Sequence, residues 1–119
     1  MKASLSALAL LAAPGLALAA PKVDLAFGNT IVSTYPDGRV GRLWLKEGGA
    51  YDYVGRNGKP SSGQWRVKGD DVCLKQSKPI AIPLNYCTPA PDGGIGLVWR
   101  AKAISGEAVS VQLVKGIVR

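Results

Sequence analysis

The sequence predicts an all-β domain, a single antiparallel barrel or sandwich of about eight short strands, behind a cleaved export signal. Three observations carry this prediction. Turn residues recur at short intervals from Phe27 onward, and the runs between them are rich in Val, Ile, Tyr, Trp and Leu. No stretch after residue 20 holds a helical hydrophobic period long enough to form a helix.

The export signal is expected over residues 1–19. Met1-Lys2 gives a short positive start, Leu5 to Leu18 an apolar run broken by Pro14-Gly15, and Ala17-Leu18-Ala19 the small-x-small pattern of a cleavage site. The apolar run is short for a bilayer span, so no transmembrane segment is expected. Cleavage after Ala19 is preferred, because a cut after Ala20 would place Pro21 next to the scissile bond. Residues 20–119 then form one domain, large enough to bury a modest core. Lys2 is the only charge in the signal, so the remainder carries 14 basic and 8 acidic residues, a net charge of +6.

Strands are expected at 29–35, 39–46, 50–55, 63–68, 71–76, 79–86, 95–103 and 107–115. They are separated by the turns at Pro36-Asp37-Gly38, Gly48-Gly49, Asn57-Gly58, Gly69-Asp70, Pro89 to Gly94 and Ser105-Gly106. The short connections favour an up-and-down meander. Alternation places Val109, Val111 and Leu113 inward, Leu97, Trp99 and Ala101 likewise, and Trp65 with Val67. Tyr51 and Tyr53 also point inward, their hydroxyls near a rim.

Cys73 and Cys87 are the only cysteines. In an exported domain an even pair most simply forms one disulfide. No histidine occurs anywhere, and two thiolates do not complete a metal shell. The spacing is not that of a C-x-x-C redox motif. The missing histidine also removes the usual general base and the Ser-His and Cys-His arrangements. Asp70-Asp71 follows Gly69 and reads as a turn, since neighbours on a strand point to opposite faces. Gly93, Gly94 and Gly96 precede a strand and not a helix N-terminus, so they form no phosphate cradle.

One stretch suggests binding. In "RVGRLWLK" at 39–46, burying Leu43 and Leu45 turns Arg42, Trp44 and Lys46 to the opposite face. An exposed tryptophan between two cations would suit an anionic ligand with a planar group; the alternative is that Trp44 lies inside or packs under the Arg42 and Lys46 stems.

"FGNT" at 27–30, "YPDG" at 35–38, "GQW" at 63–65 and the pair Cys73 and Cys87 resemble a pattern in small exported proteobacterial domains of unknown function. The resemblance covers residues 27–94. It implies a periplasmic or secreted β-domain with a disulfide, and it supplies no catalytic residues.

The expected function is therefore an exported, non-catalytic binding or interaction module of the cell envelope with an anionic ligand. The alternative is an envelope-acting enzyme that uses neither histidine nor metal. No cofactor is expected. The expected partner is an anionic envelope component or an acidic protein. The basic residues are scattered, without the like-charge run of a dedicated nucleic-acid arm.

Overall fold

A computed structural model describes residues 23–119, and the expected export signal at 1–19 lies outside the described residues. The chain opens with a short 3-10 turn at Val23–Ala26 and continues in eight antiparallel strands. These are β1 (Thr30–Thr34), β2 (Val40–Leu45), β3 (Ala50–Val54), β4 (Pro60–Lys68), β5 (Asp71–Lys78), β6 (Tyr86–Pro89), β7 (Val98–Lys102) and β8 (Ala108–Val114).

The sheet runs β6-β5-β4-β3-β2-β1-β8-β7. Because β8 returns to pair with β1, the sheet curls into a nearly closed up-and-down barrel. Its one open seam lies between β6 and β7, where the Tyr86 hydroxyl donates to the Lys102 carbonyl. The choice between barrel and sandwich is thus settled in favour of the barrel. An eight-stranded barrel encloses just enough room for its own side chains or one small ligand.

Seven strands fall where alternation and turn residues place them. The sixth does not. The expected strand at 79–86 is an irregular excursion as far as Asn85, and β6 begins at Tyr86. Pro79 and Pro83 have no amide to donate to a ladder, which confines them to edges and turns. The excursion is pinned instead by Gln76, whose side chain donates to the Ile80 carbonyl at 3.0 Å and whose carbonyl accepts from Ile82 N at 3.0 Å.

The quoted sequence motifs turn out to be structural. Gly38 adopts φ 87° in the β1–β2 turn, where its amide donates to the Tyr35 carbonyl at 2.9 Å. Gly63 sits at a register shift in β4, with the Lys75 backbone so close that any Cβ would collide with it. Trp65 Nε1 donates to the Lys46 carbonyl at 2.8 Å, and its ring packs against Phe27. Cys73 and Cys87 face each other across β5 and β6 in a disulfide.

The core is lopsided. Ala26, Leu45, Tyr51, Val72 and Leu113 are buried together, with Val23, Phe27, Leu43, Trp65 and Leu74 packed against them. The strand directions put most of this set at one end, where the Val23–Ala26 turn plugs the barrel. Val67 corrects an expectation: it is exposed, because the β4–β5 hairpin runs past the end of the barrel. The other end is bounded by the β1–β2, β3–β4, β5–β6 and β7–β8 connections, and it remains open.

Candidate functional site

Above the packed plug the barrel holds a cavity of about 500 Å³. Its existence follows from side-chain size. Ser33, Thr88, Ala101 and Ala103 occupy inward positions on β1, β6 and β7 and the turn after it, and none of them reaches the axis. Ile31, Leu43, Leu74, Trp99, Val109 and Val111 make the rest of the wall predominantly apolar. Thr88 Oγ1 is buried in that wall with no hydrogen-bond partner among the described residues.

The mouth is built from Tyr35, Tyr53, Tyr86, Arg56 and Ser105. The Tyr35 and Tyr53 hydroxyls lie 3.4 Å apart. Tyr53 can lean across β2 because Gly41 beneath it has no side chain. Burial raises the phenol pKa values of Tyr53 and Tyr86 above the ordinary value, so both hydroxyls stay protonated. Tyr86 gives its one proton to the Lys102 carbonyl and offers a ligand its lone pairs, while the Tyr35–Tyr53 pair keeps one free donor.

Arg56 organises the charges. Its guanidinium lies 4.0 Å over the Tyr35 ring, and it bonds Glu107 at 2.5 Å and Asp37 at 3.4 Å. Asp37 is held in turn by Arg39 at 2.9 Å. Glu107 also accepts from Ser105 Oγ at 2.8 Å. The hydrogen bond from Arg56 draws the Glu107 pKa below its ordinary value, and the Arg39 amide does the same for Asp37. Both arginines are therefore already neutralised by carboxylates, and the mouth offers hydroxyls more than an uncompensated cation.

This cluster has a pH signature. A carboxyl with a depressed folded-state pKa stabilises fully above its ordinary value, and the contribution is lost as pH falls through the depressed value. Glu107→Gln should lower the melting temperature slightly near neutral pH, the pair being solvent-exposed. Below the ordinary 4.5 the gap between variant and parent should shrink towards zero. A gap that widens on acidification would assign Glu107 a different role.

The site expected from sequence is arranged differently. Arg42, Trp44 and Lys46 do share the outer face of β2, as alternation requires, since their neighbours Leu43 and Leu45 line the cavity. Trp44, however, is only 5% exposed, which overturns the exposed stacking surface and bears out the alternative of a covered indole. The segment after β8 folds across it. Thr30 Oγ1 accepts from Trp44 Nε1 at 2.9 Å and from Val118 N at 2.8 Å, and donates to the Gly116 carbonyl at 2.8 Å. Asn29 Oδ1 accepts from Gly116 N at 2.8 Å, and the Arg119 guanidinium lies 4.8 Å over the indole. The "GNT" motif is the clasp for this segment. Lys46 is paired with Asp52 at 2.7 Å, and Arg42 is half-buried.

No helix among the described residues is long and apolar enough to cross a membrane. No family model, curated protein or solved structure matches the chain.

Proposed function

We propose that the chain is an exported, non-catalytic binding module, acting in the periplasm or outside the cell, whose ligand site is the barrel interior. The observation that carries this reading is the apolar cavity of about 500 Å³ with a hydroxyl-lined mouth. It has the size and chemistry of a small-molecule site, apolar walls with a few placed polar groups. An eight-stranded barrel whose inward side chains were chosen only for stability would fill its interior, because unfilled volume forfeits packing energy.

The ligand is an apolar or amphipathic molecule entering tail-first, with its polar end among Tyr35, Tyr53 and Tyr86. Thr88 Oγ1 provides a second polar contact deeper in the wall. Arg42, Trp44 and Lys46 play no part in this reading, since the indole is covered by the chain itself. The charge pairing at the mouth favours a hydroxyl or carbonyl head over a bare anion, which would have to displace Glu107 from Arg56.

The experiment uses the uncharged fluorophore N-phenyl-1-naphthylamine. Binding should enhance its emission and quench Trp99, which lines the cavity. Ala101→Phe should occupy the space, abolish probe binding, and leave the melting temperature equal to or above that of the parent, because it fills a void. Probe binding that survives Ala101→Phe and Ala103→Phe alike would remove the cavity from consideration.

A further inference from the structure

The three most exposed large apolar side chains of the described residues share one end of the barrel, whereas Val98 and Ile95 at the other end are only about half exposed. Ile104 is 82% exposed, Leu84 73% and Ile80 71%. All three belong to the open end: Ile80 and Leu84 to the β5–β6 excursion, Ile104 to the β7–β8 turn. The strand directions bring these two connections together beside the seam, where Tyr86 is hydrogen-bonded to Lys102. Ile104 also borders the cavity itself.

These side chains stand on ordered turns. Gln76 ties down the β5–β6 excursion through Ile80 and Ile82. The β7–β8 turn is closed by Ala103 N donating to the Glu107 carbonyl at 2.9 Å and Gly106 N donating to the Ala103 carbonyl at 2.8 Å. Presenting isoleucine and leucine to water at the tips of pinned turns serves no packing purpose in the monomer, and clustered exposed apolar groups mark interaction sites.

Charge divides along the same axis. Among the described residues the open end carries Arg39, Arg56, Lys59, Lys78 and Lys102, with only Asp37 and Glu107 as carboxylates. Both carboxylates are held by Arg39 or Arg56. Lys59, Lys78 and Lys102 are exposed and form no salt bridge to a described residue. The plugged end is near balance: its carboxylates Asp24, Glu47, Asp70, Asp71 and Asp92 are matched by Lys46, Arg66, Lys68, Lys115 and Arg119, so the excess of positive charge lies at the open end. Apolar tips ringed by uncompensated lysines are the chemistry that lies down on an anionic bilayer, with the tips entering the headgroup–acyl boundary and the ammonium groups facing lipid phosphates.

We infer that the open end of the barrel docks on the surface of an anionic lipid bilayer, inserting Ile80, Leu84 and Ile104 with Lys78 and Lys102 at the headgroups. This orientation turns the cavity mouth towards the lipid. The inference goes beyond the binding reading and rests on the rim alone, so either can fail without the other.

Co-sedimentation with vesicles tests it. The protein should pellet with vesicles of mixed phosphatidylglycerol and phosphatidylcholine, and only weakly with phosphatidylcholine alone. Raising the salt should release much of it. Leu84→Asp and Ile104→Asp should each reduce partitioning by about tenfold or more, since each replaces an inserting apolar group by a charge that the lipid repels. Lys78→Glu with Lys102→Glu should remove the preference for anionic vesicles. Ile95→Asp, at the plugged end and half exposed, should bind like the parent. All these positions are on the surface, and unchanged circular dichroism identifies folded variants. Ala101→Phe should still pellet, which separates failure of docking from failure of the cavity reading. Absence of parent binding to anionic vesicles at low salt, or an equal loss with Ile95→Asp, would overturn the inference.

Discussion

Trp44→Ala should cost about 3–5 kcal/mol of stability, the range for truncating a buried large side chain. The indole is covered on its outer side by the segment after β8, and its Nε1 satisfies the fully buried Thr30 hydroxyl. That hydroxyl uses its one donor and both acceptor positions on Gly116, Trp44 and Val118. Removing the ring therefore leaves a void, unpairs one acceptor, and takes away the surface on which Arg119 lies. In a domain of this size the loss corresponds to a fall in melting temperature of well over 10 °C, at roughly 4–8 °C per kcal/mol. Thr30→Val should act through the same contacts, stranding the Trp44 and Val118 donors and the Gly116 acceptor. The two effects should consequently fall short of additivity in a double-mutant cycle. Denaturant unfolding measures both. A cost below about 1 kcal/mol, the range of surface substitutions, would mean that the indole is not covered in solution.

Opening the Cys73–Cys87 bridge should be the next largest loss. The disulfide closes a loop of 15 residues counted inclusively, from a sequence separation of 14. In the chain-entropy picture such a loop is worth about 3 kcal/mol, because it restricts the unfolded chain. Location sharpens the expectation. The bridge joins β5 to β6, and β6 is a terminal strand of the sheet with only four residues. Beyond it is the open seam, where Tyr86 makes its bond to Lys102. Cys73→Ala with Cys87→Ala should therefore lower global stability and also loosen β6 preferentially. Hydrogen exchange should show amides of 86–88 losing protection before those of β1 and β2. Uniform loss of protection at unchanged stability would contradict this account. A chelator should alter neither the bridged protein nor the variant, since the cysteines ligate each other.

Much of the fold was legible because its causes are local. Period-two alternation in "VSVQL" and "RLWLK" assigns faces correctly, since on a strand the pleat alone decides them. Turn residues such as Asp37-Gly38 and Asn57-Gly58 mark the hairpin ends, and consecutive hairpins leave a meander as the simplest topology. The cysteine pair is equally readable once the compartment is assumed. Residues 79–85 form no strand although "KPIAIPLNY" has strand-like composition, because two prolines and the register imposed by Cys87 act against it.

What alternation alone determined about Trp44 was its side of the sheet, not its accessibility. An outward side chain is exposed only if nothing else covers it, and the cover here is Gly116 to Arg119, more than 70 residues away along the chain. The cavity depended on tertiary structure in the same way. Ser33, Thr88, Ala101 and Ala103 are unremarkable one at a time, and only closure of the barrel sets them around a common axis where their combined small volume becomes a chamber. The apolar tips Ile80, Leu84 and Ile104 likewise become neighbours only when two connections meet at the seam. Face and turn depend on adjacent residues, so the sequence by itself determined them. Cover, cavity and rim depend on sums over residues distant in the chain, and those sums exist only in the folded barrel.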